Sequence, residues 1–590
     1  MAVEKQPEQN IGQNPHIEEQ RAKLVAAREQ GKGPLLKQFV RYSGPGWLQS
    51  AITLGGGSLS SSLYLGVLGG FMFLWLQPLA MIAGIIMLSA IAYVTLSTGK
   101  RPLRAINEHV NPVLGWGWLL ASMVANLVWS LPQFALATAA FRQNLFPGTF
   151  GPLGAIPEPY SQIIVAAIIL CIAMTAAMLY TLGGRGMFIF EVVVKCLVGT
   201  TVVCFMGVVV RLTMTGVLDW GAIASGFVPS LHLLSEPTPQ LMALIGDVPE
   251  RFQAFWSDTI VADQRSVMIS AAATAVGINM TFLFPYSMLR KGWDKDFRGL
   301  AIFDLSTGLF FPFLLATSCV VIASASQFHA APAQGLYPTA GQVMNAQGEV
   351  TIEATGEIVA PAPNLIGSFS GLLQKRLKEE IGEEAFMAIS ADEMKARLLT
   401  LPESDRRMAA VLARRDAFNL SDALKPLVGD RFSQYVFGLG VLGMAMGAAT
   451  MLMLINGLCF AELLNRPPKG WVQRTGSLMV CVGILGPFFW NDAQMWIAIP
   501  TSVFAMTLLP LAYLSFAFLM NQKKLLGDSM PTGWSRVRWN VLMAFATGLA
   551  LCASLWSIFD RLGTTYGAAL VGGFTVLVII GHFARKSRAA

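Results

Sequence analysis

Four consecutive residues, Gly55-Gly56-Gly57-Ser58, interrupt an apolar run from Trp47 to about Leu68, and serines follow at 60, 61 and 62. Each glycine gives up roughly 1 kcal/mol of helix propensity relative to alanine. Where hydrocarbon surrounds the chain, a broken helix strands backbone N–H and C=O groups. Such a break survives only when buried in protein or lining a cavity. The four residues are therefore a tight packing surface or a binding site made of backbone groups and one hydroxyl. A second polar interruption lies at Gly277-Ile278-Asn279-Met280-Thr281-Phe282-Leu283-Phe284-Pro285. There Pro285 removes one helical hydrogen bond and crowds the carbonyl of Thr281, so the second break is expected between Asn279 and Pro285. Nothing in the chain reads as enzymatic: it has no phosphate-binding loop, no metal-ligand cluster and no nucleophile beside a base. No cofactor is expected.

The elements that carry these residues are long and apolar. Of 590 residues, 54% are hydrophobic and 13% are charged, about half the charge of a soluble chain. Apolar runs long enough to cross a bilayer, roughly 17–25 residues each, fall near 46–70, 72–97, 114–142, 160–182, 187–213, 266–289, 299–326, 434–463, 472–490, 495–520, 539–558 and 565–584. This is an all-α polytopic membrane protein with about twelve transmembrane helices. Its net charge of +7 reflects basic loops on one membrane face rather than binding to nucleic acid. Arg21, Lys37, Lys100, Arg101, Arg185, Arg290, Lys291, Arg466, Lys469, Lys523, Lys524, Arg585 and Lys586 all fall on one side, which the positive-inside rule makes cytoplasmic, with both termini. Residues 1–40 are polar and lack the apolar stretch of a signal peptide. The expected location is the plasma (inner) membrane. The seven cysteines lie inside apolar segments and read as small core residues.

Four regions follow: an N-terminal tail, 1–43; helices one to seven, 44–326; an extracytoplasmic insert, 327–433; and helices eight to twelve, 434–590. Residues 17–30 read as a short charged helix, and 214–265 as an outer loop. In the insert, Glu349 to Val359 alternates like a hairpin around Thr355-Gly356, and Ser390 to Glu393 has capping-box spacing. Breaks in the first and sixth spans, five spans apart, point to a LeuT-type 5+5 inverted repeat, whose substrate lies between two discontinuous helices. The first repeat covers 44–213 and the second begins at about 266. Packing alone accounts for Gly66, Gly69 and Gly70.

Ionisable groups within the spans are few. Glu191 and Lys195, one turn apart, are expected to pair with each other. Asp304 opens the seventh span, where the helix dipole favours an acid. Glu462 ends the eighth and is expected to face the cytoplasm. They form no buried acid chain of the kind a proton symporter needs.

The chain resembles the NRAMP family of divalent-metal transporters. Gly44-Pro45-Gly46-Trp47-Leu48 is similar to that family's opening motif, Ser97-Thr98-Gly99-Lys100 to the end of its second span, and Gly183-Gly184-Arg185-Gly186 with Glu191 to its fifth. Ser287-Met288-Leu289 is similar to the end of its sixth span, and Leu509-Pro510-Leu511-Ala512 with Lys524-Leu525-Leu526-Gly527 to its tenth. The resemblance covers about 40–326 and 434–530. It implies a metal site where the family's Asp-Pro-Gly-Asn falls on Gly55, Gly56, Gly57 and Ser58. The family's Met-Pro-His falls on Asn279, Met280 and Thr281, or one residue over, which keeps Met280 as the methionine. The tenth-span glutamine falls near Ser502, and the third-span acids fall on Leu131 and Phe134. The expected site is thus Gly55, Gly56, Gly57, Ser58, Asn279, Thr281 and Ser502, with Ser58, Asn279 and Met280 as metal donors. It lacks the carboxylate, and in the first register the thioether too. At an effective dielectric near 20 a charge pair 4 Å apart is worth about 4 kcal/mol, so a dication forgoes up to about 8. The expected substrate is a hard, hydrated divalent ion such as magnesium rather than a transition metal, without tight proton coupling. The alternative is an amino acid or small organic acid held through its carboxylate in a glycine nest. A non-transporting receptor that displays the insert is a third reading. The oligomeric state is left open.

Overall fold

A computed structural model describes residues 15–152, 154–182, 184–345, 348–489 and 494–589; Gly183 of the fifth-span motif lies outside them. Among the described residues, ten helical segments are long and apolar enough to cross a membrane, and the bent pair Pro45–Thr53 and Gly56–Phe73 makes an eleventh. The last segment, Gly533–Ala589, runs for 57 residues, about 85 Å at 1.5 Å per residue. That is far more than one bilayer crossing. Gly563, at φ 70 and ψ 176, divides it, and the count reaches twelve. The fourth, fifth and last segments turn Ile163, Ile172, Val203, Val210, Val576 and Ile580 outward, the surface a bilayer would cover. Trp471 and Trp534 stand exposed near the starts of their helices, as interfacial aromatics do.

Several expectations change. The sixth-span helix begins at Glu250, not near 266, and runs to Ala275, so much of 214–265 is helix rather than loop. The break follows at Val276-Gly277, where ψ is 102 and then 163. Helix resumes at Ile278 and continues through Pro285 to Lys291, so Pro285 sits inside the second half and does not make the break. In the insert the strands are Gln342–Met344 and Val350–Ile352; the turn at Thr355-Gly356 adds only the bridge Thr351 to Ile358. Ser390 caps Ala391–Leu399 as its spacing suggests, accepting from the Glu393 N–H. The charged N-terminal helix is Pro15–Gln30. Cys204, Cys319 and Cys459 are buried, but Cys171, Cys196 and Cys552 face outward.

The ionisable groups find partners on other spans. Glu191 pairs with Lys291 at 2.9 Å rather than with Lys195. Asp304 does not cap its own helix. It lies near the end of Arg298–Leu305, fully buried, and accepts hydrogen bonds from Ser43 Oγ and from the N–H groups of Gly44 and Gly46. It therefore caps the first span, whose orphan N–H groups need an acceptor. A Cβ on Gly46 would stand 2.2 Å from the Asp304 carbonyl, the physical reason for glycine there. Glu462 is 7% exposed and meets Arg101 at 3.2 Å, not open solvent.

Candidate functional site

The first span unwinds at Leu54-Gly55, and its halves, Pro45–Thr53 and Gly56–Phe73, are bent by 56°. Gly56, Gly57 and Ser58 are not the break itself but the first turn of the second half. The Ser58 hydroxyl donates across the bend to the Thr53 carbonyl, satisfying one acceptor that the ended helix leaves open. The Gly56 N–H donates to Gln133 Oε1 of the third span at 2.8 Å. A Cβ on Gly55 would lie 2.8 Å from Ala448 Cβ, and one on Gly57 2.9 Å from Thr274 Cγ2. The glycines thus serve packing and unwinding together.

The two breaks meet. Thr53 Oγ1 lies 3.2 Å from the Ala275 carbonyl and 3.1 Å from Met280 Sδ. The same sulfur lies 3.4 Å from the Gly277 N–H. Asn279 Nδ2 donates to Asn126 Oδ1 at 3.1 Å, and Asn279 Oδ1 accepts the Met280 N–H at 2.9 Å. Between them is a cavity of about 30 Å³, lined by Ile52, Thr53, Gly55, Gly57, Ser58, Thr274, Gly277, Asn279 and Met280 of the broken spans together with Trp129, Gln133, Ala448 and Leu452. That volume suits about one water-sized body.

Of the expected residues, Gly55, Gly57, Ser58, Asn279 and Met280 line this cavity. Gly56 is tied to Gln133. Ser502 is fully buried with an unpartnered Oγ, and a Cβ on Gly57 would lie 3.3 Å from that oxygen. Thr281 stands apart: it accepts from Trp118 Nε1 at 2.9 Å and donates to the Ile278 carbonyl. Met280 stands at the cavity wall, the place it takes in the register that keeps it as the methionine. Among the described residues, no three His, Cys, Asp or Glu side chains gather where they could hold a metal.

Sequence reading missed the third span. Asn126, Trp129 and Gln133 lie three and then four residues apart, hence on one helix face, and two are carboxamides in an otherwise apolar segment. The reasoning that singled out Asn279 applies equally to them. Two polar atoms on this face, Asn126 Nδ2 and Trp129 Nε1, are buried without a partner, a pattern that calls for a bound guest or water.

Two discontinuous helices whose breaks meet at a small cavity define the class of fold: a LeuT-type inverted repeat. A model of the Natural resistance-associated macrophage protein-like family matches residues 46–350 and 406–557, and the chain belongs to that family. It is 28% identical over 233 residues to a metal transporter, Nramp6.2, of Populus trichocarpa, a match spanning 39% of each chain. Its fold is that of a manganese transporter from Eremococcus coleocola, solved with an aromatic bis-isothiourea compound: TM-score 0.58, 14% identity, 94% of this chain and 97% of that one. A point mutant of the same transporter superposes with TM-score 0.57 at 13% identity over the same shares.

Proposed function

We propose that this chain is a secondary transporter that carries a divalent metal cation across a membrane. The cation binds in the cavity between Thr53–Ser58 and Gly277–Met280, and the preferred ion is a hard, partly hydrated one such as magnesium. Family membership supports the metal. The observation that carries the ion class is the charge and polarity of the lining. It offers neutral groups only: Thr53, Ser58, Gln133, Asn279 and Met280. Without a carboxylate the site cannot repay the loss of a dication's full water shell, and Mg²⁺ gives up its waters reluctantly. The buried donors Trp129 Nε1 and Asn126 Nδ2 repel a bare cation but suit the oxygens of its shell. A cavity of about 30 Å³ is too small for that shell, so loading a hydrated ion requires the halves to part.

The carboxylate nest fits less well, because the Gly56 N–H it would use already serves Gln133. A softer ion gains support from the Met280 sulfur at the cavity wall, since thioethers favour soft metals. Membrane location, with both termini cytoplasmic and no resident cofactor, completes the reading.

Uptake into proteoliposomes with a reporter for internal pH tests it. Saturable Mg²⁺ uptake without matching proton movement is expected, with Met280→Leu leaving it within about twofold. Mn²⁺ carried in preference to Mg²⁺ and lost in Met280→Leu would replace the hard-ion reading with the soft one. Tight proton co-movement would overturn uncoupled transport, and failure to carry any divalent cation would overturn the whole proposal.

A further inference from the structure

The first half of the first span holds a polar side chain that the cavity does not use. Gln49 is 0% exposed, and neither its Oε1 nor its Nε2 has a partner. Buried carboxamides are nearly always satisfied, and those that are not need a water, an ion or a functional reason.

Helix phase shows where Gln49 points. Around Pro45–Thr53, Gly46 meets Asp304 and Ser50 donates to the Gly308 carbonyl, so that side faces the seventh span. Ala51 lies against Gly447 of the eighth. At about 100° per residue, Gln49 stands about 60° from Gly46, about 100° from Ser50 and about 160° from Ala51. It falls between the directions of Ile52 and Thr53, both of which line the cavity, and one turn, about 6 Å, nearer the start of the helix. Thr53 meets Met280 of the sixth span's second half, so Gln49 is aimed along the seam between the two half-helices on that side. The half-helix ends at the cavity with its carbonyl end, the partially negative pole of its dipole, which draws a cation along this seam.

We propose that Gln49 is a second, transient station for the carried ion, on the side of the cavity from which the first span starts. There its carboxamide takes one contact to the ion or its water shell as the ion leaves or enters. This rests on the transport reading above. The amide suits the task because it offers an oxygen to the cation and N–H groups to shell waters without the charge that would trap a dication.

The test uses Gln49→Leu and Gln49→Glu in the full chain. Mg²⁺ affinity is measured in detergent, initial Mg²⁺ uptake in proteoliposomes, and the thermal midpoint on both variants. Gln49→Leu is expected to leave affinity within twofold and the midpoint equal or higher, since no protein hydrogen bond is lost, while uptake falls at least tenfold. Gln49→Glu is expected to restore uptake at least threefold over the Leu variant. Uptake by Gln49→Leu within twofold of the parent overturns the station. So does a loss that follows a lowered midpoint and is not restored by Glu, which would mark a packing role. If the parent protein neither binds nor carries Mg²⁺ or Mn²⁺, the transport reading fails first, and that is seen before any variant is compared.

Discussion

The candidate site is built from a few neutral side chains whose value lies in what they hold in place. Gln133 is the clearest case. It is 4% exposed, and its Oε1 holds the Gly56 N–H at the start of the first span's second half. A backbone N–H at a helix start has no intrahelical acceptor. In Gln133→Leu that N–H is buried and orphaned, at a cost of about 1–3 kcal/mol. The variant is expected to lower the unfolding midpoint measured in detergent and to weaken Mg²⁺ uptake at least tenfold, whereas Gln133→Glu should keep the bond to Gly56 and strengthen divalent-ion binding. Such a residue is hard to find by reading the chain, because its partner lies 77 positions away. Its signal was present nonetheless: a carboxamide on one face with Asn126 in an apolar helix. Met280 shows the same limit, since a one-residue shift in register decides whether a sulfur faces the cavity, and only the tertiary contact with Thr53 fixes it.

At the scale of elements, the insert shows how a short helix is anchored over the membrane part. Ala417–Val428 is capped by Asp416, whose carboxylate accepts the N–H groups of Phe418 and Asn419 at 2.9 Å. Burial pushes the Asp416 carboxyl up to about 6, with the nearby Asp422 charge adding to the rise and the two N–H bonds opposing it. The folded state therefore holds a proton that the unfolded chain releases near pH 4. Stability falls as the pH rises through the window from about 4 to about 6, and the loss is complete above it. Amide exchange over 417–428 is expected to be slower at pH 4 than at pH 7 by more than its intrinsic pH dependence. Asp416→Asn, which still caps, should remove the excess.

Across the whole molecule, residues 351–405 lie outside the family match yet are bolted to the carrier. Arg376 and Asp405, 1% and 0% exposed, pair at 2.9 Å. Asp405 also accepts from Trp256 Nε1 at 2.6 Å, and the guanidinium sits over the Phe252 ring. Phe252 and Trp256 belong to Glu250–Ala275, the helix that leads into the sixth-span break. Nearby, Tyr64 of the first span donates to the Arg415 carbonyl at 2.6 Å. The insert thus grips one half of each broken helix. Removing one partner of a buried ion pair costs about 3–5 kcal/mol. Arg376→Ala should open 363–412 to limited proteolysis and alter Mg²⁺ uptake without touching the cavity, while Arg376→Met with Asp405→Leu should recover much of the protection.

By itself the sequence determined the all-helical membrane architecture, the twelve spans and the two discontinuous ones among them. Apolar length and glycine or proline content act locally, within one turn or one span, and need no partner to be read. The tertiary structure alone decided which side chains close the site and which charges pair. Asp304 caps a helix that begins 260 positions earlier, Glu191 meets Lys291 rather than its neighbour Lys195, and the sixth span breaks at Gly277 instead of at its proline. Each outcome depends on a hydrogen-bond donor or charge supplied by another span. In a low-dielectric interior every buried polar group must find such a partner, and the one it finds is set by how the spans pack.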